Sequence, residues 1–213
     1  MSQALLDMLP AFASDFRHAL GTNLTLAGDA LAQGGAAGAL LGVLRLPPGA
    51  GAPPPVRVLR RTGARLAGLA VASMRAAPTF VVMYVLLHVL PEDQAPRAAQ
   101  AVTTALAVYA AAYVSDNLLA LLRDRRAGRR GGVLPFAMGV ARAYFVMVLS
   151  SGFGAAVGVT EATAVTLRAL EQLPCASDRL WLMAGVVAVF VALRLLAVRA
   201  IAALHALLRR ALA

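Results

Sequence analysis

The chain has 213 residues and a formal net charge of +10, and every one of its 20 basic side chains is an arginine. Hydrophobic residues make up 60% of it and charged residues only 14%, against about half and about a quarter in soluble domains. That balance argues against an ordinary water-soluble enzyme and excludes a disordered chain. The single cysteine, Cys175, leaves no intrachain disulfide and no cysteine metal site. His18, His88 and His205 are too scattered for a paired-ligand motif, so no metal site is expected. What remains is an all-α integral membrane protein of one domain, residues 1–213.

A spanning helix needs about 20 mostly apolar residues. Five stretches qualify, at residues 20–46, 66–90, 98–122, 133–159 and 180–208. The first is the weakest, because it holds Asn23, Asp29 and Gln33. Met1 to Phe16 lacks a basic stretch followed by an apolar core, so no cleavable signal peptide is expected. Pro47, Pro48, Pro53, Pro54 and Pro55 stop the first span near Leu46 and read as a stiff linker. The basic, amphipathic segment after Val56 is left open as a helix on the inner membrane surface.

The loops decide the orientation. Arg45, Arg57, Arg60, Arg61, Arg65, Arg123, Arg125, Arg126, Arg129, Arg130, Arg199, Arg209 and Arg210 fall on one side, with Asp124. The other side holds four arginines and seven acids. Arginine accumulates on the cytoplasmic side, so the N-terminus is expected outside and the C-terminus inside. The charge is thereby explained by topology. No folded basic face or aromatic-interleaved motif points to nucleic acid.

Polar groups within spans must face the protein interior or a cavity. Arg75 and Pro78 lie inside the second stretch, in MRAAPTF. They read either as a kink with a snorkelling arginine or as a broken helix beside a solute path. Asp116 and Asn117 fall near the cytoplasmic end of the third span, and Asp29 lies deeper in the first. Ser150, Ser151, Gly152 and Gly154 form a small-residue cluster that suits close packing. Arg142 and Arg194 can snorkel. His88 and Trp181 read as interfacial anchors. No nucleophile–base pair or carboxylate dyad is legible, so no catalytic residue is assigned and no enzyme is expected.

The order of these features resembles the membrane subunit of bacterial polar amino acid ABC importers of the histidine/glutamine/arginine permease type. Arg75-Ala76-Ala77-Pro78-Thr79 is similar to the RGTP segment of that family, and Pro91 follows Pro78 by thirteen residues, as in the run to the family's GLP turn. Ala112-Tyr113-Val114-Ser115-Asp116 resembles its AY-x-AE, and Leu134-Pro135 its ILP. Ser150-Ser151-Gly152-Phe153 stands where the family has KDTSL, and Val157-Gly158-Val159-Thr160-Glu161 is similar to IGVPE. The resemblance implies a type I ABC importer permease fold with five transmembrane helices in the bacterial inner membrane. It implies import of a polar amino acid or related small zwitterion. Partners would be a second permease, cytoplasmic ATPase subunits and a periplasmic solute-binding protein, with membrane lipid around them. ATP and Mg would sit on the ATPase subunits, and no cofactor on this chain. Solute-path residues carried over from the matching segments are Arg75, Thr79, Asp116, Ser150, Ser151 and Glu161. Arginine suits a carboxylate, and Glu161 or Asp116 an ammonium group.

One segment departs from the family. Between the third and fourth spans the family carries an EAA loop that folds as a coupling helix and docks on the ATPase. Here RDRRAGRRGG stands in its place, too short to hold such a helix. The expected partner is therefore a non-identical permease that carries the main ATPase contact. The alternative is a structural or regulatory subunit that keeps the permease fold and binds no solute. A small independent secondary transporter is disfavoured, because no inverted repeat is visible.

The arginine split makes a direct prediction. In intact cells, Cys175 should react with an impermeant thiol reagent, and a cysteine placed at Gly128 should be protected. The reverse pattern would overturn the orientation.

Overall fold

The structure is a computed structural model that describes residues 2–49, 53–91, 96–129 and 132–212, with side chains described through residue 207. Its elements are α1 (Gln3–Leu44), α2 (Pro54–Ala76), α3 (Thr79–Val89), α4 (Arg97–Arg126), α5 (Val133–Ser150), a 3-10 segment (Ser151–Val157), α6 (Ala162–Gln172) and α7 (Ala176–Leu212). No strand occurs among the described residues. Among the described residues three helices are long and apolar enough to cross a membrane: α4, α5 with its 3-10 extension, and α7; α2 and α3 taken together make at most a fourth.

The centre of the fold is the contact between α1 and α4. Gly34, Gly38 and Gly42 recur every four residues, which places them on one face of α1. Gly34 lies against Ala107 and Ala110, Gly38 against Ala111 and Val114, and Gly42 against Ser115 and Leu118. The numbers rise together on both helices, so α1 and α4 run parallel. The backbones nearly touch. A Cβ built on Gly34 would collide with the carbonyl oxygen of Ala107 and stand 2.7 Å from the Ala110 Cβ, and one on Gly38 would collide with the carbonyl of Ala111. Small residues on both faces permit this approach, which in a membrane replaces the missing hydrophobic drive with dispersion contact. Ala27 and Ala30 extend the seam, and Met83, Val102, Leu106, Met147 and Val148 complete the core around it.

Several boundaries differ from those expected. The first helix starts at Gln3, not near residue 20. Ser2 caps it, accepting from the Leu5 amide at 3.4 Å, and its own amide donates to Asp178 at 3.0 Å. Leu5 packs with Ala169, Leu173 and Leu182, so a polar stretch is held helical by contacts distant in sequence. The proline-rich linker is shorter than expected. Pro54 and Pro55 open α2, where a missing amide costs nothing, and the segment left open after Val56 is helical. The second stretch is two helices bent by 96°. Ala77 is extended, and Pro78 has no amide to continue the helix. The fourth stretch leaves α-helical form at Ser150, tightens into the 3-10 segment and reverses at Gly158, whose φ of 91° favours glycine. Arg123, Arg125 and Arg126 belong to α4 rather than to a loop, and Gly128 at φ 73° turns the chain away. Arg130 and Gly131 lie outside the described residues.

Neighbouring glycines on α1 make an internally controlled prediction. Gly34→Ala should destabilise the protein by about 1–3 kcal/mol, because backbone must shift to admit the methyl group. A Cβ added at Gly35 would meet nothing within 4 Å, so Gly35→Ala should be neutral or stabilising by up to about 1 kcal/mol. Thermal unfolding in one detergent compares the two.

Candidate functional site

Tyr109, Ala112, Tyr113, Asp116 and Asn117 share one face of α4. With Arg75, from the last turn of α2, they line a recess of about 490 Å³. The break at Pro78 follows Arg75 by three residues, where α3 leaves the line of α2 at 96°.

One carboxylate organises the recess. Oδ1 of Asp116 accepts from Nη1 of Arg45 at 2.6 Å, and Oδ2 accepts from Nη1 of Arg75 at 2.6 Å. Arg45 caps the C-terminus of α1 and also donates to Oγ of Ser115 at 3.0 Å. Asp116 thus ties the C-terminal ends of α1 and α2 to α4, with each cation placed where the helix dipole favours it. The two halves of the bridge differ in shelter. Side-chain exposure is 19% at Arg45, 31% at Asp116 and 67% at Arg75. Arg45–Asp116 is a partly enclosed structural pair. Arg75 reaches the same carboxylate from open space, and its Nη1 bond to Asp116 is its one hydrogen bond among the described residues.

The three charges sum to +1, so the recess has a surplus cation. Arg75 retains donors that fit a carboxylate. The rings of Tyr109 and Tyr113 stack with centroids 6.1 Å apart and supply faces that attract a cation. Nδ2 of Asn117 donates to the Tyr113 carbonyl at 2.8 Å, and its side chain fits the space left by Gly139 of α5.

The other expected site residues stand elsewhere. Thr79 is the first residue of α3 and half-buried, and does not line the recess. Ser150 is half-buried at the end of α5. Ser151 and Glu161 are fully enclosed with Asn23. Nδ2 of Asn23 donates to Oγ of Ser151 at 2.8 Å and to Oε2 of Glu161 at 3.0 Å. Glu161 caps α6, accepting from the amides of Thr163 at 2.9 Å and Ala164 at 3.0 Å. Oδ1 of Asn23 accepts from the Ala162 amide at 3.1 Å, and Oγ of Ser151 donates to the Val148 carbonyl at 2.7 Å. This network locks α1, α5 and α6 together. Asn23 and Arg45 are separated along α1 by about 33 Å at 1.5 Å per residue. The structure therefore brings Arg75 and Asp116 together and holds Ser151 and Glu161 in a second, distant place.

Arg45, Tyr109 and Asn23 were not singled out by sequence as site or network residues. Tyr109 was legible in principle, since Tyr109, Tyr113 and Asp116 follow an i, i+4, i+7 pattern. The pairings of Arg45 and Asn23 join residues 71 and 138 positions apart and have no local signal.

No protein-family model matches the sequence, and no curated protein matches it in sequence. Solved structures do match in fold. A chain of an amino acid ABC transporter crystallised with histidines superposes with a TM-score of 0.72 at 15% identity, covering 96% of this chain and 99% of that one. A chain of the MetNI methionine ABC transporter, seen in inward-facing conformations, superposes with a TM-score of 0.61 at 16% identity, covering 95% and 99%. The fold is that of ABC transporter permeases, over the whole length of both chains. With its long apolar helices, the protein is a multi-pass membrane protein.

The unequal shelter of the two arginines predicts unequal effects. Asp116→Asn strands two cations, one of them partly enclosed, and should destabilise by about 1–3 kcal/mol. Arg75→Gln leaves Arg45–Asp116 intact and should cost less than about 1 kcal/mol. Thermal unfolding in detergent checks the order.

Proposed function

We propose that the chain is a permease subunit of an ATP-driven importer in a bacterial inner membrane, moving a polar amino acid or a related small zwitterion. The observation that carries this is the fold match along the full length of both chains. In this proposal the recess beside the broken helix is the solute-contacting part of the subunit. Arg75 exchanges Asp116 for the solute carboxylate, and Arg45 keeps Asp116 in place while it does so. The faces of Tyr109 and Tyr113 take the ammonium group. Asp116 lies ten residues from the end of α4, about 15 Å from its last residue.

The subunit would hydrolyse nothing itself. ATP and Mg would be held by cytoplasmic ATPase subunits, and a periplasmic protein would deliver the solute to the outer side. A second, non-identical permease would complete the path and carry the main ATPase contact. Support for that last point is the short turn between α4 and α5, with Gly128 at positive φ and arginines on the helix end. ATP binding would drive the change by favouring one of two arrangements through differential contacts.

A second reading has its own support. Ser151 and Glu161 are enclosed and hydrogen-bonded, which suits a subunit that keeps the fold and leaves solute binding to its partner. Uptake into proteoliposomes by the assembled complex separates the two. Arg75→Ala should lower uptake at least tenfold at unchanged folded yield. Normal uptake in Arg75→Ala would transfer the solute to the partner subunit. For the coupling, Arg125, Arg126 and Arg129 replaced together by serine should leave solute-stimulated ATP hydrolysis within about twofold of wild type. Its abolition would place the ATPase contact on this chain.

A further inference from the structure

Two arginines have no role in the bridge or in the recess. Arg142 lies on α5 and Arg194 on α7, each inside a stretch apolar enough to span a membrane. Both side chains are exposed, and among the described residues neither has a hydrogen bond or an ion pair. They line one groove between the two helices, with a volume of about 480 Å³. The rest of its wall is apolar, with Met138, Phe145, Val146 and Ile201 among the residues that form it. An arginine in a bilayer needs an anion or water at its head. Two arginines lining one apolar groove suit a ligand with an anionic end and a hydrocarbon end.

We propose that the α5–α7 groove binds one anionic phospholipid, with its phosphate on Arg142 and Arg194 and an acyl chain along the apolar wall. The geometry suits this in three respects. Arg142 is nine residues into α5, about 14 Å from its first residue, and its long side chain can reach back toward that end. Guanidinium groups bind phosphate oxygens in pairs, so two of them can take up one phosphate at two edges. Basic pockets between helices are a common form of headgroup site. The phosphate's single negative charge then balances one of the two arginine charges and lowers the cost of holding both in the groove.

The competing occupant is a carboxylate of another membrane subunit, and the experiment separates the two. The complex containing the full chain is purified in detergent, titrated with phosphatidylglycerol or phosphatidylcholine, and examined by native mass spectrometry. One phosphatidylglycerol should be retained at least tenfold more tightly than phosphatidylcholine. Arg142→Gln with Arg194→Gln should abolish that preference. Ala202→Trp fills the apolar wall and leaves both arginines in place, and it should displace the same lipid. Should the double variant fail to fold, the tryptophan variant carries the test alone. Equal retention of phosphatidylglycerol by wild type and folded variants would overturn the proposal. So would loss of another membrane subunit from the variants with lipid occupancy unchanged.

Discussion

The contact on which the rest of the structure depends is the glycine seam between α1 and α4. In lipid, apolar side chains gain nothing by leaving the solvent, so helices associate through close backbone approach and dispersion. Gly34, Gly38 and Gly42 allow that approach along three successive turns. Because the seam holds α1 parallel to α4, residues at the middle and at the C-terminal end of α1 face fixed partners. Asn23 meets Ser151 and Glu161 at one level, and Arg45 meets Ser115 and Asp116 at another. A shift of one residue along the seam would place Cβ atoms where glycine hydrogens now lie and would break both polar clusters together.

The two clusters use buried polarity differently. Around Asn23 each oxygen and nitrogen described has a partner, and Glu161 directs its charge to the amides of α6. A carboxylate held in this way rigidifies three helices and has little left for a ligand. Around Asp116 the carboxylate is divided between a sheltered cation and an open one. A divided carboxylate can release its weaker partner without leaving an unpaired charge behind. That asymmetry leaves the recess, rather than the Asn23 network, with hydrogen-bonding capacity to spare.

Beyond these clusters much of the surface is apolar and bare. Leu195, Leu196 and Val198 on α7 and Val81, Tyr84 and Val85 on α3 are exposed. For a soluble protein such patches would drive aggregation. For a multi-pass membrane protein they are the surfaces offered to acyl chains and to other subunits. Only where cations interrupt them, as at Arg142 and Arg194, do they specify anything about the occupant.

The sequence by itself determined the solvent of this protein and its helical class. A charge content of 14% with 60% hydrophobic residues is incompatible with a water-soluble fold of this kind, and apolar stretches of about 20 residues have one regular solution in lipid. It also marked Pro78 as a kink or a break, because the missing amide is a local property, and the structure shows the break. The motif order resembles that of amino acid importer permeases, and the fold is that of ABC transporter permeases. What only the tertiary structure decided are the pairings. Arg75 and Asp116 face one another, whereas Ser151 and Glu161 lie with Asn23 about 33 Å away along α1. Hydropathy windows could not show this, because a partner 71 or 138 residues distant leaves no trace in local periodicity. They also missed the first turns of α1, where Asp7, Pro10 and Asp15 lower the apolar average. Those turns are helical because Ser2 meets Asp178 and Leu5 meets Leu173 and Leu182, contacts that exist only after the chain has folded.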